Sequence, residues 1–140
     1  MRGVRVTGLL VLVAVGAISL PLLASTTSAV AASPRTTPPI GTQLAELKGS
    51  DTVATDEFGG SVAISGTTAI VGAHRHAKNA GRAYVFTKTP AAWKQVAELK
   101  DSDTLAGDYF GASVAISGTT AVVGAFVHAN DAGRAYVFEA

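Results

Sequence analysis

Between Ser61 and Ser65 large and small residues alternate, with Val62 and Ile64 on one face and Ser61, Ala63 and Ser65 on the other. A period of two marks an extended strand, because successive side chains leave a pleated chain on opposite sides. Gly66 follows and supplies the positive φ that a tight hairpin demands, so a second strand is expected over Thr68–Gly72. A longer connection, Ala73 to Gly81, leads to a third strand, Arg82–Phe86, and beyond the break at Pro90 a fourth runs from Trp93 to Leu99. Within this unit no helical period reaches a useful length. The same order returns as Ser113–Ser117, Thr120–Gly124 and Arg134–Phe138.

The recurrence is nearly literal. Gln43–Phe86 and Gln95–Phe138 align at an offset of 52 positions without a gap, and 33 of the 44 aligned residues are identical. A period of this size marks a repeat architecture, in which one unit cannot bury its own apolar faces and must stack on a neighbour. Gln43–Lys48 matches the fourth strand but has no first three strands before it, so the strands of two units are present, permuted by one. A half-exposed sheet would carry charges on its second face, whereas here that face is Ser and Ala. Small against large suits strands covered on both sides, as in sheets stacked radially about an axis. The expected fold is therefore all-β: two four-stranded antiparallel blades of the β-propeller type, over residues 43–140.

Propellers generally have four to eight blades, so two leave bare end faces rich in Val, Ile, Phe and Tyr. Three arrangements stay open. Gln43–Lys48 of one chain pairs with the edge of Arg134–Phe138 in another, giving a head-to-tail homo-oligomer that closes as a ring or runs on as a filament. Alternatively the same segment folds back within its own chain to make a two-blade sandwich. In the third, the chain is a remnant of a longer propeller.

Composition changes the picture at the start of the chain. Arg2 and Arg5 precede an apolar run from Leu9 to Ala24, and Ser28-Ala29-Val30-Ala31 offers a small-residue cleavage site. That order reads as a secretory signal peptide over residues 1–31, the rival being a retained membrane anchor. Residues 32–42, rich in Pro, Ser and Thr, read as a spacer. An exported, secreted protein with no membrane attachment after cleavage is the expectation. Its 109 remaining residues would carry nine basic and ten acidic side chains. That balance gives no reason to expect nucleic acid as a partner. With no Cys anywhere, stability must come from packing, a partner or neighbouring copies.

Few residues suggest chemistry. His74-Arg75-His76 places two imidazoles close together, but only His76 recurs, as His128, and no Cys or carboxylate adjoins to complete a metal set. A solvated loop is the plainer reading. Asp51, Asp56, Asp101, Asp103 and Asp108 alternate with Ser, Thr and Gly, where Asp usually caps turns through nearby backbone N–H groups. Ser61, Ser113, Thr68 and Thr120 have no His-plus-acid set assignable to them. No catalytic residue, metal site or cofactor is expected, and the protein is read as a non-enzyme. Trp93, Tyr84, Phe86, Tyr136 and Phe138 offer sugar-stacking surfaces, yet their strand positions favour packing.

Asp56-Glu57-Phe58-Gly59 and Asp108-Tyr109-Phe110-Gly111, followed by SVAISGTTA, Val71-Gly72-Ala73 or Val123-Gly124-Ala125, and GRAYVF, resemble FG-GAP repeats. These are the blade units of β-propellers such as the integrin α-subunit head, in the version common in exported bacterial proteins. The resemblance spans Gln43 to Ala140. It implies a propeller-type blade fold and a binding role, with attachment to a larger extracellular hydrolase as the alternative context. Many members carry a calcium loop between the first two strands. Here that loop is Ser65-Gly66-Thr67-Thr68 or Ser117-Gly118-Thr119-Thr120, without a carboxylate, so no calcium site of that kind is expected. Family rings usually have seven blades, against two here.

The eleven mismatches between the copies cluster. Five, including Glu57/Tyr109, fall in the fourth-to-first connection and four in the second-to-third, and in an up-and-down sheet both connections emerge at one end. Loops on a rigid sheet change chemistry without disturbing packing. The expected contact surface is therefore this rim: His74, Arg75, His76, Lys78 and Asn79 from the first copy, and Phe126, Val127, His128, Asn130 and Asp131 from the second. A protein or a glycan is the partner class.

Overall fold

The structure is a computed structural model that describes residues 37–140. The signal-peptide reading and residues 32–36 of the spacer lie outside the described residues. Among the described residues seven strands form two antiparallel sheets. The first contains β1 (Phe58–Ser65), β2 (Thr68–Ala73), β3 (Arg82–Lys88) and β4 (Trp93–Leu99) in sequential order. The second contains β5 (Phe110–Ser117), β6 (Thr120–Ala125) and β7 (Arg134–Glu139). The all-β, blade-type expectation holds, and the two sheets close neither a ring nor a barrel.

Strand bounds differ from the sequence pattern chiefly at β1 and β5, which begin three residues earlier, at Phe58 and Phe110. A register shift between Phe58 and Ser61, and again between Phe110 and Ser113, lets these strands bend at Gly59 and Gly111. Both glycines have positive φ, 93° and 85°, a conformation costly to a residue with a Cβ.

Two corrections concern strand count. The second sheet has three strands rather than four. Gln43–Lys48 forms no strand, although Gln95–Lys100 repeats it with one change, Leu44 to Val96, and supplies most of β4. Neither does it fold back onto β7, so the sandwich arrangement is not formed. Its Leu47 packs instead on the first sheet, beside Phe58 and Trp93.

The period of two sorts each sheet into a forward and a rear face. Ala63, Ile70 and Val85 are register partners and share the forward face of the first sheet, joined by Ala97 from β4. This face packs on the rear face of the second sheet, where Val114 pairs with Val123 and Ile116 with Ala121. Ile70, Val85, Leu99, Phe110, Ala121 and Val123 make one buried core between the sheets. Phe110 is fully buried at its centre, edge-on to Phe138 with ring centroids 6.0 Å apart. The backbones approach very closely: a Cβ on Gly72 would stand 2.0 Å from Gly111 O. Ser61 Oγ donates to Gly111 O at 2.7 Å, and Gly118 N donates to Ser65 Oγ at 3.1 Å. The small-residue face thus exists because another sheet's backbone lies on it.

Candidate rim recognition site

Glu57, His74 and Arg75 rise together at the end where β1 begins and β2 finishes. His74 Nε2 stands 3.0 Å from Glu57 Oε2, and Arg75 Nε stands 3.1 Å from Glu57 Oε1. In the second repeat the equivalent positions hold Tyr109 and Phe126, whose rings lie 5.3 Å apart at 30°. One pair is electrostatic and its counterpart aromatic. They also meet, since His74 lies over Tyr109 at 5.9 Å and 37°. Tyr109 is fixed from below by its N–H, which donates to Asn79 O at 2.8 Å. The result is a row, Glu57–His74–Tyr109–Phe126, that crosses the seam between the sheets.

His76 and His128 are drawn inward, which corrects their reading as solvated rim residues. His76 Nδ1 lies 2.9 Å from Asp56 Oδ2, with Nε2 3.5 Å from Asp51 Oδ2. His128 Nδ1 lies 2.8 Å from Asp108 Oδ2, with Nε2 3.6 Å from Asp103 Oδ2. Because a carboxylate only accepts, the Nδ1 atom carries the proton. Asp56 and Asp108 also accept from the backbone N–H of Val53 and Leu105, at 2.8 and 2.6 Å, the turn-capping role expected of them. Burial pushes both carboxyls up, but the backbone bond, the imidazole bond and the imidazole charge together outweigh it, and both sit below the ordinary carboxylate value. Tyr84 donates to Asp51 at 2.7 Å and Tyr136 to Asp103 at 2.9 Å. Burial first, then the Asp103 bond, pushes the Tyr136 phenol up to about 12.

This network holds a strained loop. Ala77, Lys78 and Asn79 all have positive φ (53°, 61° and 63°), as do Ala129, Asn130 and Asp131 (56°, 58° and 63°). Each makes a single left-handed turn, which costs L-residues roughly 1–2 kcal/mol apiece. Gly81 N–H closes the first turn onto His76 O and Gly133 N–H the second onto His128 O, both at 2.9 Å. The clamped imidazole fixes the start of each turn. Lys78, Asn130 and Asp131 are thereby held outward, and Asn79 is half-buried. Val127, Asn130 and Asp131 border a shallow hollow of about 550 Å³ with Leu105, Gly107 and Asp108.

Both nitrogens of His76 and of His128 face carboxylates, which leaves neither free to serve a nucleophile as a base. Among the described residues no three His, Cys, Asp or Glu side chains are placed to hold a metal ion. Sequence reasoning passed over Glu57 and Tyr109 as site residues. The signal that finds them is that positions 57 and 74 change together between the copies, charge pair to ring pair.

Stacked antiparallel sheets built from one repeated unit, with variable loops at a single end, define a blade-type repeat protein. The sequence profile of the FG-GAP repeat matches residues 42–86 and 93–138, and the chain belongs to that family. Repeats of this family are generally units of protein binding or ligand recognition and typically non-enzymatic. No curated protein matches the chain.

Proposed function

We propose that this protein is an exported, non-enzymatic module that binds another protein through the rim carrying Glu57, His74, Arg75, Tyr109 and Phe126. One observation carries the reading. Val53, Leu105 and Phe126 are 70%, 69% and 61% exposed, and all three belong to the loops at this end. Large apolar side chains gathered beside charged ones on rigid loops are the composition of a recognition surface. Export is supported by the residue order of the first 31 positions.

A photo-crosslinking side chain at position 105, with a control at Thr119 in the opposite turn, tests the reading in cells that naturally make the protein. A discrete protein adduct is expected from position 105 and none from position 119. Arg75→Ala together with Phe126→Ala should abolish the adduct while leaving the circular dichroism spectrum unchanged. An adduct that survives the double change, or that forms equally from both ends, would overturn it.

A further inference from the structure

The core between the two sheets uses the forward face of one repeat and the rear face of the next. Each sheet has both faces, so one of each is left without a sheet against it, although Leu47, Phe58 and Trp93 already cover part of the first sheet's rear face. The forward face of the second sheet exposes Val122 and Val137, whose equivalents Ile70 and Val85 are fully buried. The rear face of the first sheet exposes Val62 and Ile64, whose equivalents Val114 and Ile116 are half-buried in the core. The free edges match in the same way. β3 is hydrogen-bonded to β4, while the equivalent edge of β7 is unpaired among the described residues. Gln43–Lys48, which repeats β4, lies unpaired too. Leu47 nevertheless already sits on the first sheet's rear-face cluster, as Leu99 sits in the core between the sheets. The segment is poised where a fourth strand belongs, without a sheet to join.

We infer that a second copy of this chain docks head-to-tail, its Gln43–Lys48 completing the second sheet as a strand along β7 and its Val62–Ile64 face covering Val122 and Val137. The occupant follows from continuity with the contact already formed. The β3–β4 register pairs Ala83 with Leu99, Tyr84 with Glu98 and Val85 with Ala97. Shifted by one repeat, Ala135 pairs with Leu47 of the second copy, Tyr136 with Glu46 and Val137 with Ala45. The polar anchors transfer as well. Ser113 would donate to Gly59 O of the second copy as Ser61 does to Gly111, and Ser117 would accept from Gly66 as Ser65 does from Gly118. All four of these groups are exposed in the single chain. Arg82 bonds Glu98 at 2.6 Å, and the counterpart Arg134, held by Asp103 in the single chain, would exchange that partner for Glu46, which among the described residues pairs with the exposed Lys48. This surface is the side of the stack, separate from the rim.

A segment-to-face contact has a signature that a face-to-face symmetric dimer does not share. Val137→Lys spoils only the docking face, because Val137 is exposed in the single chain and a lysine there is solvated. Ala45→Pro spoils only the docking segment, removing an N–H that has no strand partner in the single chain. The protein is expressed from the full 140-residue chain, purified as the host processes it, and weighed by light scattering after size-exclusion chromatography. The unaltered protein should run as two or more chains and each variant alone as one. An equimolar mixture of the two variants should form a 1:1 pair, since each retains the half the other lacks. An unaltered protein that is monomeric at 100 μM, or variants that associate alone, or a mixture that stays monomeric, would overturn the inference.

Discussion

Val85 and Val137 occupy the same position of the two repeats, yet Val85 is 1% exposed and Val137 69%. Val62 and Val114 differ in the opposite sense, the first exposed and the second half-buried. Identical residues thus have opposite environments according to which neighbour is present. A repeat of this kind carries its contact surfaces on both sides, and burial is decided by stacking rather than by the unit itself. Gln43–Lys48 and Gln95–Lys100 teach the same lesson about backbone. The same six-residue pattern is a strand where an edge receives it and irregular where none does.

The comparison breaks most visibly at the core. All stability comparisons below use the Ala45→Pro chain, in which head-to-tail pairing is blocked. Phe110→Ala should cost about 3–5 kcal/mol in urea unfolding, as expected for an aromatic ring removed from a packed interior. Phe58→Ala, at the equivalent but half-exposed site, should cost less than half of that. Val85→Ala should cost about 2 kcal/mol through two lost methyl groups and the cavity they leave. Val137→Ala should stay within about 0.5 kcal/mol, the usual range for a surface change. Equal costs within either pair would mean that the sheets do not stack as described.

Acid sharpens the comparison at the loops. Asp56 and Asp108 have folded-state values below the ordinary carboxylate value. Their contribution to stability is therefore complete above about pH 4 and drains away as pH falls through the lowered folded values. Thermal midpoints followed from pH 6 to pH 2 should show this loss, and Asp108→Asn should flatten part of it while lowering the midpoint at pH 6. An unchanged acid limb would remove the clamp from the account. The smallest effect belongs to the rim, where Glu57→Gln should alter stability by no more than about 0.5 kcal/mol, because Glu57 and Arg75 are each about half exposed and Gln keeps a hydrogen bond within reach of His74.

The sheets were legible because their signals are local. Alternation in Ser61–Ser65, Gly66 at the hairpin and Pro90 after the third strand each act over a few residues. The rim was legible in outline, since loop mismatches cluster where the connections emerge. His76 and His128 were not, because the carboxylates that draw them inward lie 20 residues away and meet them only across a folded loop. The left-handed turns were hidden for a related reason: Ala77, Lys78 and Ala129 carry no intrinsic preference for positive φ. The fate of Gln43–Lys48 was beyond local pattern altogether, as its strand character depends on a neighbouring edge.

Gly72 and Gly124 offer the most direct test of stacking. A Cβ at either would meet its own sheet's serine oxygen at 2.3 Å, but only at Gly72 would it also meet the other sheet, 2.0 Å from Gly111 O. The shared cost cancels between Gly72→Ala and Gly124→Ala, leaving the contact between sheets as the difference. Urea unfolding should find Gly72→Ala less stable by about 2 kcal/mol or more, an overpacking penalty. Equal stability of the two variants would contradict the packing of one repeat's forward face on the next repeat's rear.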